Sequence, residues 1–264
     1  MTSSIEEAIS EKETLSSNTL FHFASKLEYL ITILENNFAP RYYLEDLTML
    51  GFTEKDQIMM NVAIPMTCFC DIPLSKMKYH LNCYGGYGIG MTKNWGVKNG
   101  VSPVLYAAAE SETTTYLKEI LKIARRKSIQ GQEGIDRLGM NIKRLISFVK
   151  PYEGDFEHSG KSYLHKRFYD EREWRYVPVE ADPPILSKED FLDKKKLLEY
   201  NSELSLHNKL AFTPNDVEYI IVKDITDVLP MIKKIMLIKA NYSEDERMLL
   251  ASKIISRERI MNDF

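Results

Sequence analysis

Tyr169-Asp170-Glu171-Arg172-Glu173-Trp174-Arg175-Tyr176-Val177-Pro178 is the stretch on which the reading of this chain turns. Trp, Tyr and Val favour extended backbone, and alternate side chains of a strand point to opposite faces. As one strand, the segment puts Glu171, Glu173 and Arg175 on one face and Arg172, Trp174 and Tyr176 on the other. Two carboxylates so close repel each other unless cations or a polar ligand stand between them. Either this is an edge strand whose charged face meets water, with Arg175 pairing Glu171 or Glu173, or the carboxylates serve a ligand.

Upstream, the stretch from Lys150 to Lys161 reads as a loop delivering this strand. Before it the apolar period changes to that of helices. Leu117, Ile120, Leu121 and Ala124 form one stripe and Leu138, Ile142, Leu145, Ile146 and Val149 another, divided by Gly131-Gln132-Glu133-Gly134. The pattern predicts a helical hairpin inserted at about Glu110 to Val149. Its basic residues, Lys118, Lys122, Arg125, Arg126, Lys127, Arg137, Lys143 and Arg144, lie mostly off the stripes, as solvated faces or as a nucleic-acid groove.

Toward the N-terminus, strands are expected at Leu20–Phe23, Val62–Asp71 and Pro103–Ala107, with a helix capped by Ser25 between the first two. Phe38-Ala39-Pro40-Arg41-Tyr42-Tyr43 reads as an aromatic, basic loop, and Pro65 marks an edge or a bulge. Pro73 opens a helix through His80. In Tyr84-Gly85-Gly86-Tyr87-Gly88-Ile89-Gly90-Met91, the glycines admit another backbone or a flat ligand. Toward the C-terminus, Ala181–Asn208 reads as a surface excursion with a short helix, Val217–Lys223 as a strand, and Asp227–Ile238 and Ser243–Ile255 as a helical pair, the second opened by a capping box. Met1–Asn18 reads as a flexible tail before a single domain over 19–264.

With 264 residues and a net charge of -3, the chain can bury a real core and is not built to bind nucleic acid by bulk charge. No apolar run approaches the roughly 20 residues that span a bilayer, and Met1–Ser17 is polar and acidic, so a cytoplasmic protein without membrane contact is expected. Cys68, Cys70 and Cys83 do not suit a disulfide framework. With His80 they could hold zinc, but Cys-x-Cys on a strand with His80 and Cys83 past a turn is not a familiar zinc spacing; buried cysteines and no metal are the expectation. No P-loop, Gly-x-Gly-x-x-Gly or Gly-x-Ser-x-Gly motif is present.

Several longer strings resemble a known family. Phe38–Asp46, Ile64-Pro65-Met66-Thr67-Cys68-Phe69-Cys70-Asp71-Ile72-Pro73-Leu74-Ser75, Tyr84–Gly90, Trp95-Gly96-Val97-Lys98-Asn99-Gly100 and Glu218–Lys223 are similar to the AbiGi family of bacterial abortive-infection proteins. That likeness implies a part in phage defence beside a cognate toxin or antitoxin partner. A strand with His near the start, a Tyr/Gly strand in the middle and a late Glu-x-Glu strand is also similar to ADP-ribosyltransferases of the His-Tyr-Glu kind, DarT-like toxins among them. This second likeness implies an α+β fold with a split, mostly antiparallel sheet and C-terminal helices, and NAD as a substrate. It assigns Glu173 to the ribose and the developing cation, Glu171 to the acceptor, and His22, beside Phe23, to the other ribose. Tyr87, or Tyr84 in its place, stacks on nicotinamide and Arg41 meets the pyrophosphate. The basic insertion puts RNA or DNA ahead of protein as the acceptor. The competing expectation is a non-enzymatic antitoxin or binding module in which the Glu-Arg-Glu strand is merely ion-paired.

Overall fold

The structure, a computed structural model, describes residues 16–48, 61–129, 135–158, 161–239 and 241–263. The chain opens with β1 (Thr19–Ala24), α1 (Leu27–Asn36), β2 (Arg41–Asp46) and the long β3 (Asn61–Cys70). A 3-10 turn at Leu74–Lys76 enters α2 (Lys78–Tyr84), followed by β4 (Tyr87–Thr92), α3 (Lys93–Lys98), β5 (Ser102–Pro103) and β6 (Leu105–Ala107). The helical pair α4 (Glu112–Ile129) and α5 (Ile135–Ile146) leads to β7 (Val149–Pro151) and a hairpin of β8 (Glu153–His158) and β9 (Lys161–Arg167). A second 3-10 turn, Phe168–Glu171, precedes β10 (Glu173–Tyr176). Then come β11 (Leu186–Ser187), α6 (Lys188–Leu192), α7 (Lys194–His207), β12 (Val217–Val222), α8 (Val228–Ile238), α9 (Glu244–Ser252), β13 (Ile254–Ser256) and α10 (Arg257–Asp263).

The fold is mixed α and β around a mostly antiparallel sheet in the order β13-β12-β4-β1-β3-β10-β5. β3 is shared: its first half lies between β2 and β11, its second between β1 and β10. Pro65 falls in the gap between the β11 and β10 pairings, where its missing N–H costs no ladder bond on that side. Register decides which residues can meet. Gly90, Phe21, Cys70 and Glu173 line up across the sheet and share a face. One position along, Ile89, His22, Phe69 and Trp174 point to the other.

The His22 face carries the largest core, in which Leu20, Phe69, Ile89 and Met91 pack with Leu30 and Leu34 of α1 and Met231 and Ile235 of α8. On the opposite face, Phe21 packs with Met77, Leu81 and Ile260, while Ile64 and Met66 meet Leu117 of α4 and Ile142 and Ile146 of α5. The predicted helical hairpin is therefore a lid over the face that carries Glu173. The Gly131–Gly134 break lies outside the described residues, as do the side chains of Ala124, Arg125, Arg126 and Lys127.

Several expectations need correction. The aromatic loop at Phe38–Tyr43 runs straight into β2, whose Tyr42 and Leu44 pack with Leu204 and Tyr200 of α7. The loop over Lys150–Lys161 is β7 followed by the hairpin, whose polar residues carry no apolar alternation to betray them. The excursion at Ala181–Asn208 holds a 14-residue helix, capped by Asp193, which accepts from the Lys195 and Lys196 N–H groups. Ser25 does not cap α1; Lys26 stands at the cap position without a side-chain bond. The second C-terminal helix ends at Ser252, and Ile254–Ser256 pairs in parallel with β12 instead. Ser243 and Glu246 do form the expected capping box. Of the N-terminal tail, residues 1–15 lie outside the described residues; the Ser17 N–H donates to Asp71 Oδ1 at 2.8 Å.

The glycine-rich stretch brings β4 close to β1: a Cβ at Gly88 would lie 3.0 Å from the His22 carbonyl oxygen. Gly85 is tighter, with φ +129° and a Cβ position 2.4 Å from the Ala24 carbonyl oxygen. Gly100 has φ +75° with open space around it. Gly85→Ala should therefore cost about 2–5 kcal/mol and Gly100→Ala about 1 kcal/mol, read from denaturant midpoints; equal losses would contradict the close packing at Gly85.

Candidate functional site

The decisive segment is not one strand. Phe168–Glu171 forms a 3-10 turn, and Arg172 takes a left-handed conformation with φ 46° before the strand begins at Glu173. The Arg172 carbonyl accepts from the Asp71 N–H at 3.0 Å and its Nε donates to the Asp71 carbonyl at 3.0 Å, so the kink is held from both ends. Nor is β10 an edge, since β3 and β5 flank it. Its charged side chains are consequently buried: Glu173 is 5% exposed and Arg175 fully enclosed.

Burying charge is tolerable only when it is paired and hydrogen-bonded. Arg175 Nε donates to Glu173 Oε1 at 2.6 Å, while its terminal nitrogens reach Glu45 Oε1 and the Ser147 carbonyl, each at 2.9 Å. Lys150 Nζ bridges the acids, at 2.5 Å from Glu173 Oε2 and 2.9 Å from Glu171 Oε2. Lys166 lies 2.6 Å from Glu171 Oε1 and donates to the Tyr84 hydroxyl at 2.7 Å, and that hydroxyl donates to Glu171. The Glu173 N–H donates to the Tyr106 hydroxyl at 2.8 Å. Three carboxylates, Glu45, Glu171 and Glu173, thus face three cations, Lys150, Lys166 and Arg175.

Burial by itself would raise the Glu173 carboxyl, but Arg175 and then Lys150 overcome it and hold it well below the carboxylate range. At Glu171 burial pulls upward too, and Lys150 and Lys166 together outweigh it. Lys150, which burial would lower, is pushed well up by Glu173 and Glu171. Burial, reinforced by Glu171, moves the Tyr84 phenol far up, so it stays a proton donor. Glu171, Glu173, Lys150 and Arg175 therefore hold their charges at neutral pH.

The expected site residues divide between two faces. Glu171, Glu173 and Tyr84 come together. His22 does not join them: its Nδ1 lies 2.8 Å from the Cys68 carbonyl oxygen and its ring packs against Phe38 and Phe69 on the far face. Burial lowers its pKa, which keeps the imidazole neutral. Tyr87 pairs with Ala24, shares the His22 face, and donates to Asp227 Oδ2 at 3.3 Å. Phe23 packs with Phe21 and stands 6.2 Å from the His80 ring. Arg41 is exposed on β2. The cause is period: the residue pattern names His, Tyr and Glu but leaves unsaid which face each takes.

Sequence reasoning missed Lys150, Lys166, Glu45 and Tyr106. A lysine between Val149 and Pro151 was the available sign that a cation enters the interior. Cys68 and Cys70 lie on the Glu173 face, where burial and then the neighbouring carboxylate, Glu173 for Cys68 and Glu171 for Cys70, push both thiols well up and leave them poor nucleophiles. Among the described residues, no group of three or more His, Cys, Asp or Glu side chains is placed to hold a metal ion.

The family profile described as "Putative abortive phage resistance protein AbiGi, antitoxin" matches residues 36–223, the span that contains every member of the charge network. The chain belongs to the AbiGi family. A curated AbiGi relative, "Abortive phage resistance protein AbiGi" of Lactococcus lactis subsp. cremoris, is 31% identical over 250 residues, covering 86% of this chain and 99% of its own length. No solved structure matches this AbiGi chain, so the ADP-ribosyltransferase likeness rests on residue pattern alone. No helix among the described residues is long and apolar enough to cross a membrane.

Lys150→Met would leave two buried carboxylates sharing no cation and should cost about 3–5 kcal/mol; adding Glu171→Gln should restore part of that loss, whereas additive losses in a double-mutant cycle would contradict the bridge. The pH dependence has two windows. Burial lowers the His80 pKa from 6.5 to about 4, so between those values the unfolded chain binds the extra proton and stability falls as pH falls. About 3 kcal/mol is lost there, and His80→Phe should make that limb shallower, leaving the part contributed by His22, whose pKa is lowered in the same direction. The Glu171 and Glu173 pKa values are depressed, so their contribution is complete above the ordinary carboxylate range and is lost only below it. Urea titrations at stepped pH values separate the two.

Proposed function

We propose that this AbiGi chain acts in abortive phage resistance as a non-catalytic binding module, the antitoxin side of a toxin–antitoxin pair. The observation that supports this is the closed charge balance at Glu173. A catalytic carboxylate must be open to the charge that develops in the transition state, and both Glu173 oxygens are already bonded to Arg175 and Lys150 beneath the helical lid. The network serves the fold: it fixes the register of β10 against β3, and a partner protein is recognised elsewhere, on the surface.

A second reading is ADP-ribose transfer from NAD to nucleic acid ahead of protein. Glu171 and Tyr84, bonded to each other and to Lys166, favour it, because Lys166 lines an open cleft. In that reading Tyr84 takes the place of Tyr87, and His22 has no part from the far face. Co-expression with the protein encoded beside this one discriminates the two. The binding module should relieve that protein's toxicity and co-purify with it, and labelled NAD incubated with the chain, total RNA and lysate should yield no transfer. Transfer that disappears in a folded Glu173→Gln variant would overturn the binding-module reading.

A further inference from the structure

Beside the charge network opens a cleft of about 600 Å³ between the Leu74–Lys76 turn, α2 and the segment Lys166–Arg172. Its size falls in the usual range for small-molecule sites. The lining is built for an anion: Lys76 and Arg167 are exposed, and among the described residues neither has a carboxylate within ion-pair distance, while Arg172 stands 3.8 Å from Asp71. Two half-exposed rings, Tyr79 and Tyr169, also line it. A single carboxylate, Asp170, shares the wall with the cations.

A second, independent feature points to a ligand. His80 lines the same cleft, is 3% exposed, and has no hydrogen-bond partner at either Nδ1 or Nε2. Its neighbours are the rings of Phe23, Tyr79 and Tyr84, which supply no polar contact to those nitrogens. A buried polar group left unpaired is unfavourable, and such exceptions call for an explanation. A neutral imidazole offers one donor and one acceptor, a pair that matches the edge of a nucleobase.

We propose that this cleft binds a nucleoside phosphate, free or at the end of an RNA chain. The base stacks on a tyrosine ring and meets His80, the ribose hydroxyls donate to Asp170, and the phosphates lie against Lys76, Arg167 and Arg172. An acidic peptide would use the cations but leave the rings and the imidazole without partners. The inference stands apart from the function proposed above, since a binding module or an enzyme could each carry it.

Isothermal titration of the full chain with ATP tests it. Saturable binding is expected, with Lys76→Glu/Arg167→Glu weakening it by about tenfold or more while leaving the thermal midpoint unchanged, because both side chains are exposed. His80→Phe keeps the ring, removes both nitrogens and should weaken binding about fivefold. Adenosine and tripolyphosphate should each bind at least about tenfold more weakly than ATP. A 5′-phosphorylated RNA oligonucleotide that outcompetes ATP and its 5′-hydroxyl counterpart assigns the source to an RNA end; the reverse order assigns it to free nucleotide. Absence of saturable binding of either ATP or phosphorylated RNA up to about 1 mM, unchanged affinity in the double charge reversal, or equal binding of tripolyphosphate and ATP would overturn the proposal.

Discussion

A guanidinium with no access to water is the constraint on which this structure depends. Arg175 is fully buried on β10, and an arginine cannot shed its charge there. It must therefore be met by carboxylates and carbonyls in fixed positions. Glu173 on its own strand, Glu45 on β2 and the Ser147 carbonyl at the end of α5 supply them. Three separate parts of the chain are thereby tied to one planar fork, and the register of β10 on β3 follows, with Arg175 opposite Cys68 and Glu173 opposite Cys70.

From that fork the network extends outward. Lys150 reaches in from β7, delivered by the lid helices, and joins Glu173 to Glu171; Lys166, from β9, joins Glu171 to Tyr84 on α2. Each added charge neutralises the last, so the interior holds a balanced set where a single unpaired ion would be intolerable. The kink at Arg172 is part of the same arrangement, because it lets Glu171 meet Lys150 although it lies outside the strand. At the outer end of this chain of contacts the segment Lys166–Arg172 turns to the surface and forms the wall of the cleft that holds His80. Scaffold and cleft are thus built from one run of residues.

Much of the fold was readable in advance where the pattern was periodic. The helical hairpin, the strands at Leu20–Phe23 and Val217–Val222 and the Ser243 capping box appear where apolar spacing or cap chemistry puts them. Readability failed where polar residues pair with polar residues, as in β8 and β9, or where a short strand such as β13 exists only because β12 lies alongside. For the candidate site the division was sharper. That Glu171 and Glu173 need cations was legible, and so was Arg175 as a partner for one of the two; that it takes Glu173 was not. That Lys150, Lys166 and Glu45 supply the rest was not, since they lie far from the acids in sequence.

The residue strings alone fixed the family and the alternation that puts Glu173 and Arg175 on one side of a strand, since both are properties of neighbours along the chain. Only the tertiary structure decided that this side faces inward under the helical lid, that His22 and Tyr87 face away from it, and that His80 lines a cleft with no partner for its ring nitrogens. The physical reason is that a strand's period is local, whereas the choice of which face is buried depends on what is folded against it.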